Sequence, residues 1–382
     1  MATSRDSKAK ELSDGKGRRE ALGLMAALAT TTRRARADAT PLSVVIPEPH
    51  NLQFLSFWVA LGAGFFDAEG APVTTRSPSS PRELIPWVRR GEVEAAVVPP
   101  PMYIQLMADD APLRLVANLL QNDPINLVVR RTLAAERGLR ADRPLADRLR
   151  GLAGVRLGVA PGPPRRLRAL FGSVGLVADD VLRIEIVRGP EQNAAFERGQ
   201  VDALFCHTPY LEHALLEQDA LMLVNLSGGE CPVLADRQIH TLAVSPTLIA
   251  QQPDRVSALV RAVARAQRLI HERPVAAVEA VLRALPTLGR PSVELLVRLY
   301  APAIPKHPVV SADKVPAAVQ LFPSSHEAPP LEGVDVTRFV EPRFAAEASR
   351  TTWPLTWVTG LAGLGSAALV ARYLRSRPPP AG

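Results

Sequence analysis

The chain has 382 residues, more than one compact core usually holds, and 47% of them are hydrophobic, which excludes wholesale disorder. The formal net charge of +7 lies at the two ends: residues 1–39 carry nine Lys and Arg against five Asp and Glu, and the tail from Arg372 carries three Arg and no acid. The middle is therefore neutral, and the basic balance gives no indication of nucleic-acid binding.

The N-terminal segment, residues 1–39, has the pattern of a signal peptide. A basic region precedes a short apolar stretch at residues 21–32, and the sequence ADA at residues 37–39 is a small-x-small cleavage site. The pair Arg18 and Arg19 indicates the twin-arginine type. The alternative is a solvated basic tail before a short helix.

Short apolar or β-branched runs alternate with helical patterns along the body. The predicted strands are Leu42–Ile46, Ala71–Thr75, Ala95–Val98, Arg114–Ala117, Asn126–Val129, Val155–Val159, Arg183–Val187, Ala203–Cys206, Leu221–Val224 and His240–Val244. The predicted helices between them are Gln53–Phe66, Arg82–Arg90, Pro101–Met107, Pro164–Phe171, Glu191–Glu197 and Pro209–Glu217. This alternation predicts an α/β fold with parallel sheets that helices cover on both faces.

One unit occurs twice, as GEVEAAVVP at residues 91–99 and as GQVDALFCHTP at residues 199–209. Pro81 and Pro190 predict the starts of two helices, and Gly91 and Gly199 predict their left-handed ends. A buried strand follows each glycine. The chain is therefore expected to contain two similar lobes with a ligand cleft at the carboxyl ends of their strands.

The C-terminal segment, residues 353–373, contains a single charge, Arg372. As a helix it would run about 31 Å, close to the roughly 30 Å hydrocarbon core of a bilayer. It predicts a transmembrane anchor with the Arg-containing tail, residues 374–382, in the cytoplasm and the body outside. The alternative is a buried C-terminal core helix.

The two cysteines, Cys206 and Cys231, form no disulfide framework and no C-x-x-C metal motif. They are expected to be small buried hydrophobic residues, and a disulfide stays open if the chain is exported.

Five segments of the body carry a resemblance to a known family. They are LQFLSFWVALGAGFFDAEGAPV, WVRRGEVEAAVVPPPMYIQLMADDAPLRLVANLLQNDPINLVVRR, LAGVRLGVAPGPPRRLRALF, GPEQNAAFERGQVDALFCHTPYLEHALLEQDALMLVNLS and QQPDRVSALVRAVARAQRLIHERP. In this order, and over about residues 42–348, the chain resembles the substrate-binding proteins of ABC importers for nitrate, taurine, aliphatic sulfonates and thiamine pyrimidine precursors.

The resemblance implies a two-lobed type II periplasmic binding protein fold. Lobe 1 would comprise residues 42–131 and 240–348, lobe 2 residues 132–238, and the lobes would close on a small organic ligand by hinge motion. It implies an extracytoplasmic monomer that needs no cofactor, performs no chemistry and delivers its ligand to an ABC permease in the inner membrane. A third possible function, suggested by the predicted C-terminal anchor, is that of a sensor or adaptor.

Ligand contacts are expected in the loops that follow strand ends. The candidate ligand-binding residues are His50, Asn51, Phe54, Pro100, Asn122, Asp123, Gly162, Arg165, His207, Thr208 and Tyr210. The helix start after Gly162 lacks two N–H groups, because Pro163 and Pro164 follow, and this argues against nitrate or a simple sulfonate. Arg165 could supply positive charge instead.

Each candidate has a structural alternative. Phe54 and Tyr210 stack on a planar heterocycle or belong to the core, and Asp123 binds ligand or caps its loop. Arg165 either contacts the ligand or is solvated. His207 either contacts the ligand or is held by hydrogen bonds at the end of its strand. The runner-up function is an enzyme on the same fold, a pyrimidine synthase or a menaquinone-precursor enzyme. Its acid and base candidates are His50, His207 and Asp123.

Overall fold

The computed structural model describes residues 40–80, 83–322 and 331–351. The predicted signal peptide, transmembrane anchor and cytoplasmic tail lie outside these ranges, as does Pro81. Within them, every helix is too short or too polar to cross a membrane. The chain divides into two compact units, residues 1–349 and 350–382, and the sheets and the candidate site lie in the first.

Two five-stranded sheets form the centres of two lobes. Sheet A, in lobe 1, has the order β2-β1-β3-β10-β4, and sheet B, in lobe 2, has the order β7-β6-β8-β5-β9. The strands are β1 Leu42–Val45, β2 Val73–Arg76, β3 Ala95–Val98, β4 Arg114–Leu120, β5 Asn126–Arg130, β6 Arg156–Val159, β7 Arg183–Ile186, β8 Ala203–Cys206, β9 Ala220–Val224 and β10 His240–Val244. All ten lie where the sequence predicts them, with ends shifted by at most three residues.

The prediction of parallel sheets is wrong in one respect, because each sheet contains a strand that crosses over from the other lobe. β10 runs antiparallel to β3 and β4, and β5 runs antiparallel to β8 and β9. Both sheets are therefore mixed. Because β4 pairs in sheet A and β5 in sheet B, the chain first passes from one sheet to the other at residues 121–125.

Sixteen α-helices of the described residues cover the sheets. They are α1 Leu55–Gly62, α2 Phe65–Glu69, α3 Leu84–Arg89, α4 Pro100–Ala108, α5 Arg131–Glu136, α6 Leu145–Arg150, α7 Pro164–Gly172, α8 Ala178–Val181, α9 Gly189–Glu197, α10 Tyr210–Glu217, α11 Pro246–Gln251, α12 Pro253–Glu272, α13 Pro274–Ala284, α14 Arg290–Tyr300, α15 Val315–Leu321 and α16 Arg343–Arg350. The single helix predicted over residues 53–66 is divided. A 3-10 turn precedes α1, and Gly64, with φ +69°, separates α1 from α2.

The repeated unit has the predicted form in both lobes. Gly91 and Gly199 have φ values of +72° and +68° and follow α3 and α9, and Pro190 lies in the first turn of α9. The strands that follow, β3 and β8, are buried along their whole length. Cys206 and Cys231 are free and buried, which confirms the expectation of two small core residues.

The strand directions bring several chain segments to one edge of each sheet. In sheet A the carboxyl ends of β1, β3 and β4 share an edge with the amino end of the antiparallel strand β10. In sheet B the carboxyl ends of β6 and β8 share an edge with the amino end of β5. The two crossings join these edges, so polar residues at the crossings and after the strands can meet between the lobes.

Candidate functional site

A buried polar cluster lies between the lobes and is built from segments of both. Asp123 is contributed by the first crossing, Arg166 by α7 after β6, His207 by the loop after β8, and His240 by the amino end of β10. Asp123 is 1% exposed and Arg166 is 9% exposed. Charged groups this deeply buried are retained only when they are paired or when they serve a ligand.

Arg166 is held in one orientation by two contacts. Its Nη1 donates to both carboxylate oxygens of Asp123, at 3.1 and 3.2 Å. The ring of Phe322, which follows α15, stacks on the guanidinium with its centroid 4.4 Å from Cζ. Nε is buried and has no hydrogen-bond partner among the described residues. Asp123 occupies Nη1, so the Nε–Nη2 edge, the kind of edge that binds an oxyanion with two parallel hydrogen bonds, is left without a partner among the described residues.

His207 is half-buried, and its tautomer is fixed by the backbone. Nδ1 lies 2.5 Å from the carbonyl oxygen of Thr208 and donates to it, so a neutral ring carries an unshared electron pair on Nε2. Burial lowers the pKa of His207, and the Arg166 guanidinium lowers it further, against the opposing effect of the carboxylates of Glu48 and Asp123. The ring is therefore neutral near neutral pH.

His240 is buried beside the same guanidinium. Its Nε2 pairs with Oε1 of Gln53 at 2.8 Å, and its ring meets the edge of Phe54 at a centroid distance of 5.0 Å. Burial, together with His207 and Arg166, lowers the pKa of His240 to about 3. Its Nδ1 has no partner within the described part of the chain, so it is an unpaired acceptor.

A second layer of buried side chains supports His207 from behind. Thr208, 1% exposed, donates from Oγ1 to Oε1 of Glu212 at 2.8 Å. Tyr300, at the end of α14, accepts from the Thr208 N–H at 3.3 Å and donates to the carbonyl oxygen of Pro124 at 3.2 Å. Burial raises the pKa of the Glu212 carboxyl. These contacts connect the loop after β8 to the first crossing.

The structure brings some of the predicted residues into the cluster. Asp123 and His207 belong to it, and Phe54 contacts His240 directly. Tyr210 lies beside His207, with 5.9 Å between the ring centroids. Thr208 has a supporting role through Glu212 and Tyr300. Asp123 accepts from the N–H of Ile125 at 3.0 Å, as the capping interpretation expects, and its contact with a ligand stays a prediction.

Other predicted residues have structural roles or point to solvent. Asn51 accepts from the N–H of Gln53 and caps the 3-10 turn. Asn122 donates to the carbonyl oxygens of Ser227 and Pro302. Pro100 is buried at the start of α4. Three predicted residues are exposed: His50, Gly162 and Arg165.

Arg165 donates to the carbonyl oxygen of Gln320 at 3.2 Å, so the neighbouring residue, Arg166, supplies the buried charge. The sequence contains a signal for this difference. The buried positions of α7 are Arg166, Leu167, Leu170 and Phe171, so Arg166 shares the inward face of the helix with Leu170, one turn later. His240 and Phe322 were also missed, the first because it stands at the amino end of its strand and the second because it follows a helix.

Comparisons with known proteins agree with this architecture. A family model described as NMT1/THI5 like matches residues 51–277. A search among curated proteins found no match.

Three solved structures illustrate the likeness. The alkanesulfonate-binding protein SsuA from Xanthomonas axonopodis pv. citri bound to MOPS is 18% identical, with a TM-score of 0.52 over 79% of this chain and 99% of that chain. SsuA from Methylobacillus flagellatus KT, a putative periplasmic sulfonate-binding protein, is 16% identical, with a TM-score of 0.58 over 81% and 94%. The desulfurization enzyme DSZB in complex with biphenyl-2-sulfinic acid is 18% identical, with a TM-score of 0.55 over 81% and 98%.

At these identities the likeness establishes the fold, the two-lobed α/β fold of periplasmic binding proteins with two mixed sheets. The family model covers more than half of the sequence, from the loop after β1 to α13. The chain therefore belongs to the NMT1/THI5-like family.

Proposed function

We propose that this protein is the solute-binding component of an ABC importer and captures a small organic anion between its lobes. The observation that carries the proposal is the unpaired Nε–Nη2 edge of Arg166, a cation enclosed between two lobes and held in place by Asp123 and Phe322. A fixed guanidinium edge matches a carboxylate, sulfonate or sulfinate group.

The relatives support this ligand class. Two of the similar structures are described as sulfonate-binding proteins, and the third holds a sulfinic acid. The helix start at Pro163 and Pro164 lacks N–H groups for an inorganic oxyanion, so Arg166 must provide the positive charge. The rings of Phe54, Tyr210 and Phe322 lie around the cluster and favour a ligand with an apolar body.

Isothermal titration calorimetry of the purified protein tests the proposal. The ligands are alkanesulfonates and arylsulfinates of increasing length, with nitrate and uncharged heterocycles as comparisons. We expect dissociation constants in the micromolar range or below for organic anions and weaker binding of nitrate. Tight binding of an uncharged heterocycle without any anion binding would contradict the anion class.

An enzyme on the same fold is a second candidate, because DSZB shares the fold, Nδ1 of His240 is unpaired among the described residues, and Nε2 of a neutral His207 carries an electron pair. A cysteine nucleophile receives no support from the cluster, since burial raises the pKa of the Cys206 thiol and so disfavours the thiolate. Mass spectrometry of each bound anion after prolonged incubation distinguishes the two functions: unchanged ligand supports transport, and a product supports catalysis.

The proposed cellular arrangement follows from the ends of the chain. The body would be exported, held at the outer face of the cell membrane by residues 353–373, and would deliver its ligand as a monomer to a permease in the same membrane. The support for this arrangement is the hydropathy of the sequence and the periplasmic origin of similar proteins.

A further inference from the structure

We infer that His207 takes up a proton when a monoanionic ligand binds at Arg166, so that capture of the ligand becomes tighter as the pH falls. This inference rests on the proposed function, since it concerns how the same cleft accommodates negative charge. The protonated ring of His207 would be a second positive group for the ligand, beside Arg166, whose charge is already paired with Asp123.

The cluster has little net positive charge to balance the negative charge of a bound anion. The positive charge of Arg166 is opposed by Asp123, whose carboxylate is 1% exposed and accepts from Nη1. Glu48, in the loop after β1, adds a second negative charge that acts on the same histidine. With both histidines neutral, Arg166, Asp123 and a bound monoanion would carry a net charge of −1, and the exposed carboxylate of Glu48 would add to the negative potential. Excess charge in a partly buried site is costly unless a proton or a cation offsets it.

His207 is built to accept a proton without rearrangement. Its Nδ1–H already donates to the carbonyl oxygen of Thr208 at 2.5 Å. A proton from solvent therefore adds to the electron pair on Nε2, which becomes a donor, while the bond from Nδ1 is kept. Thr208 is itself fixed by Glu212 and Tyr300, so the ring keeps its position in both protonation states.

The groups that face His207 come from every neighbouring segment. They are Glu48 from the loop after β1, Asp123 from the first crossing, Arg166 from α7, Tyr210 from α10 and His240 from β10. Arg166 opposes protonation and the two carboxylates favour it. A ligand anion on the guanidinium would cancel the opposing charge, so it would raise the affinity of His207 for a proton.

His240 is the less suitable acceptor. Its ring is buried, Gln53 occupies Nε2, and Arg166 and His207 both disfavour its charged form. Because His207 is half-buried and lies under the influence of two carboxylates, protonation is assigned to His207.

The direction of the pH effect follows from linkage. In the free protein the pKa of His207 lies below its ordinary value, and in the complex the ligand raises it. Between these two pKa values one proton enters with the ligand, so the affinity rises up to about tenfold for each pH unit of acidification. Above both pKa values, and below both, the affinity is independent of this group.

Calorimetry with butanesulfonate tests the inference, because this ligand stays monoanionic across the whole range. Titrations of the full chain in Bis-tris and in Tris, which carry no sulfonate, give the number of protons taken up from the difference in heat. We expect uptake of up to one proton, and a dissociation constant that falls several-fold from about pH 8 to about pH 6. His207→Gln, which cannot titrate, should abolish both effects.

His213→Gln is the matched control, because His213 lies on α10 and pairs with Glu217 at 40% side-chain exposure. It should retain the proton uptake. If His207→Gln fails to fold, the NMR titration of the histidine ring protons in the unmodified protein, with and without butanesulfonate, reports the same protonation. Binding without proton uptake, or uptake that persists in His207→Gln, would overturn the inference. Absence of anion binding at every pH would overturn the proposed function as well.

Discussion

At the scale of single residues, the pair Arg165 and Arg166 offers a direct test of the binding edge. Arg166→Lys keeps a positive charge for Asp123 but lacks the two parallel N–H groups, so we expect the affinity for an alkanesulfonate to fall at least about tenfold. The melting temperature should change little, because the buried carboxylate keeps a partner. Calorimetry and thermal unfolding measure the two effects.

The neighbouring substitution supplies the control. Arg165→Lys alters an exposed side chain that donates to the carbonyl oxygen of Gln320, and it should leave both affinity and stability unchanged. Arg166→Ala, in contrast, leaves the buried carboxylate of Asp123 without its paired cation and should cost about 3–5 kcal/mol of unfolding free energy. Equal affinities of Arg166→Lys and the unmodified protein would show that the anion binds elsewhere.

Residue-level reasoning from sequence finds part of this site and misses part for a definable reason. Loops after parallel strands predict Asp123, His207 and Phe54, because carboxyl ends meet at one edge. His240 escapes this rule, since it stands at the amino end of a strand that runs antiparallel to its neighbours. An antiparallel strand brings its amino end to the edge where the parallel strands end, and this direction depends on pairing between residues more than a hundred positions apart.

At the scale of elements, the contact between α1 and α13 depends on a single glycine. A Cβ on Gly62 would lie 1.8 Å from the carbonyl oxygen of Ala280, a distance at which backbone must move. Gly62→Ala should therefore push the two helices apart. We expect it to lower the free energy of unfolding by at least the roughly 1–3 kcal/mol that is typical of overpacking. Chemical denaturation measures the loss.

Gly172 is the matched control for this substitution. It is the last residue of α7, and a Cβ there would meet no atom within 4 Å. Gly172→Ala should be neutral or stabilise the protein by up to about 1 kcal/mol, because alanine favours the helix. Equal stability of the two variants would contradict the close helix contact.

The elements themselves are well predicted from local patterns, and their pairing is not. The ten strands and the glycine-terminated helices follow from apolar runs and caps, which are local properties. The division of residues 53–66 at Gly64 and the exchange of β5 and β10 between sheets depend on packing at long range.

At the scale of the whole molecule, the predicted anchor can be tested by fractionation of cells that produce the chain. We expect the full chain to remain with membranes after alkaline carbonate extraction, and a chain that stops after Thr351 to be released in soluble form. Protease added to spheroplasts should digest the body of the full chain. A full chain that is released by carbonate would contradict the anchor.

The exchange of strands has a consequence for the order in which the protein acquires its structure. All strands of sheet B come from one continuous stretch, residues 126–224, whereas sheet A needs β10 between β3 and β4. Bringing β10 next to β3 and β4 closes a loop of more than a hundred residues, and the chain loses entropy before the strands can pair. Lobe 2 should therefore form first, and lobe 1 should form only when residues 240–244 have paired with β3 and β4. Pulse-labelling hydrogen exchange should then show protected amides in β6 and β8 before β4; the reverse order would disprove it. A chain that emerges from its amino end therefore completes its first lobe last.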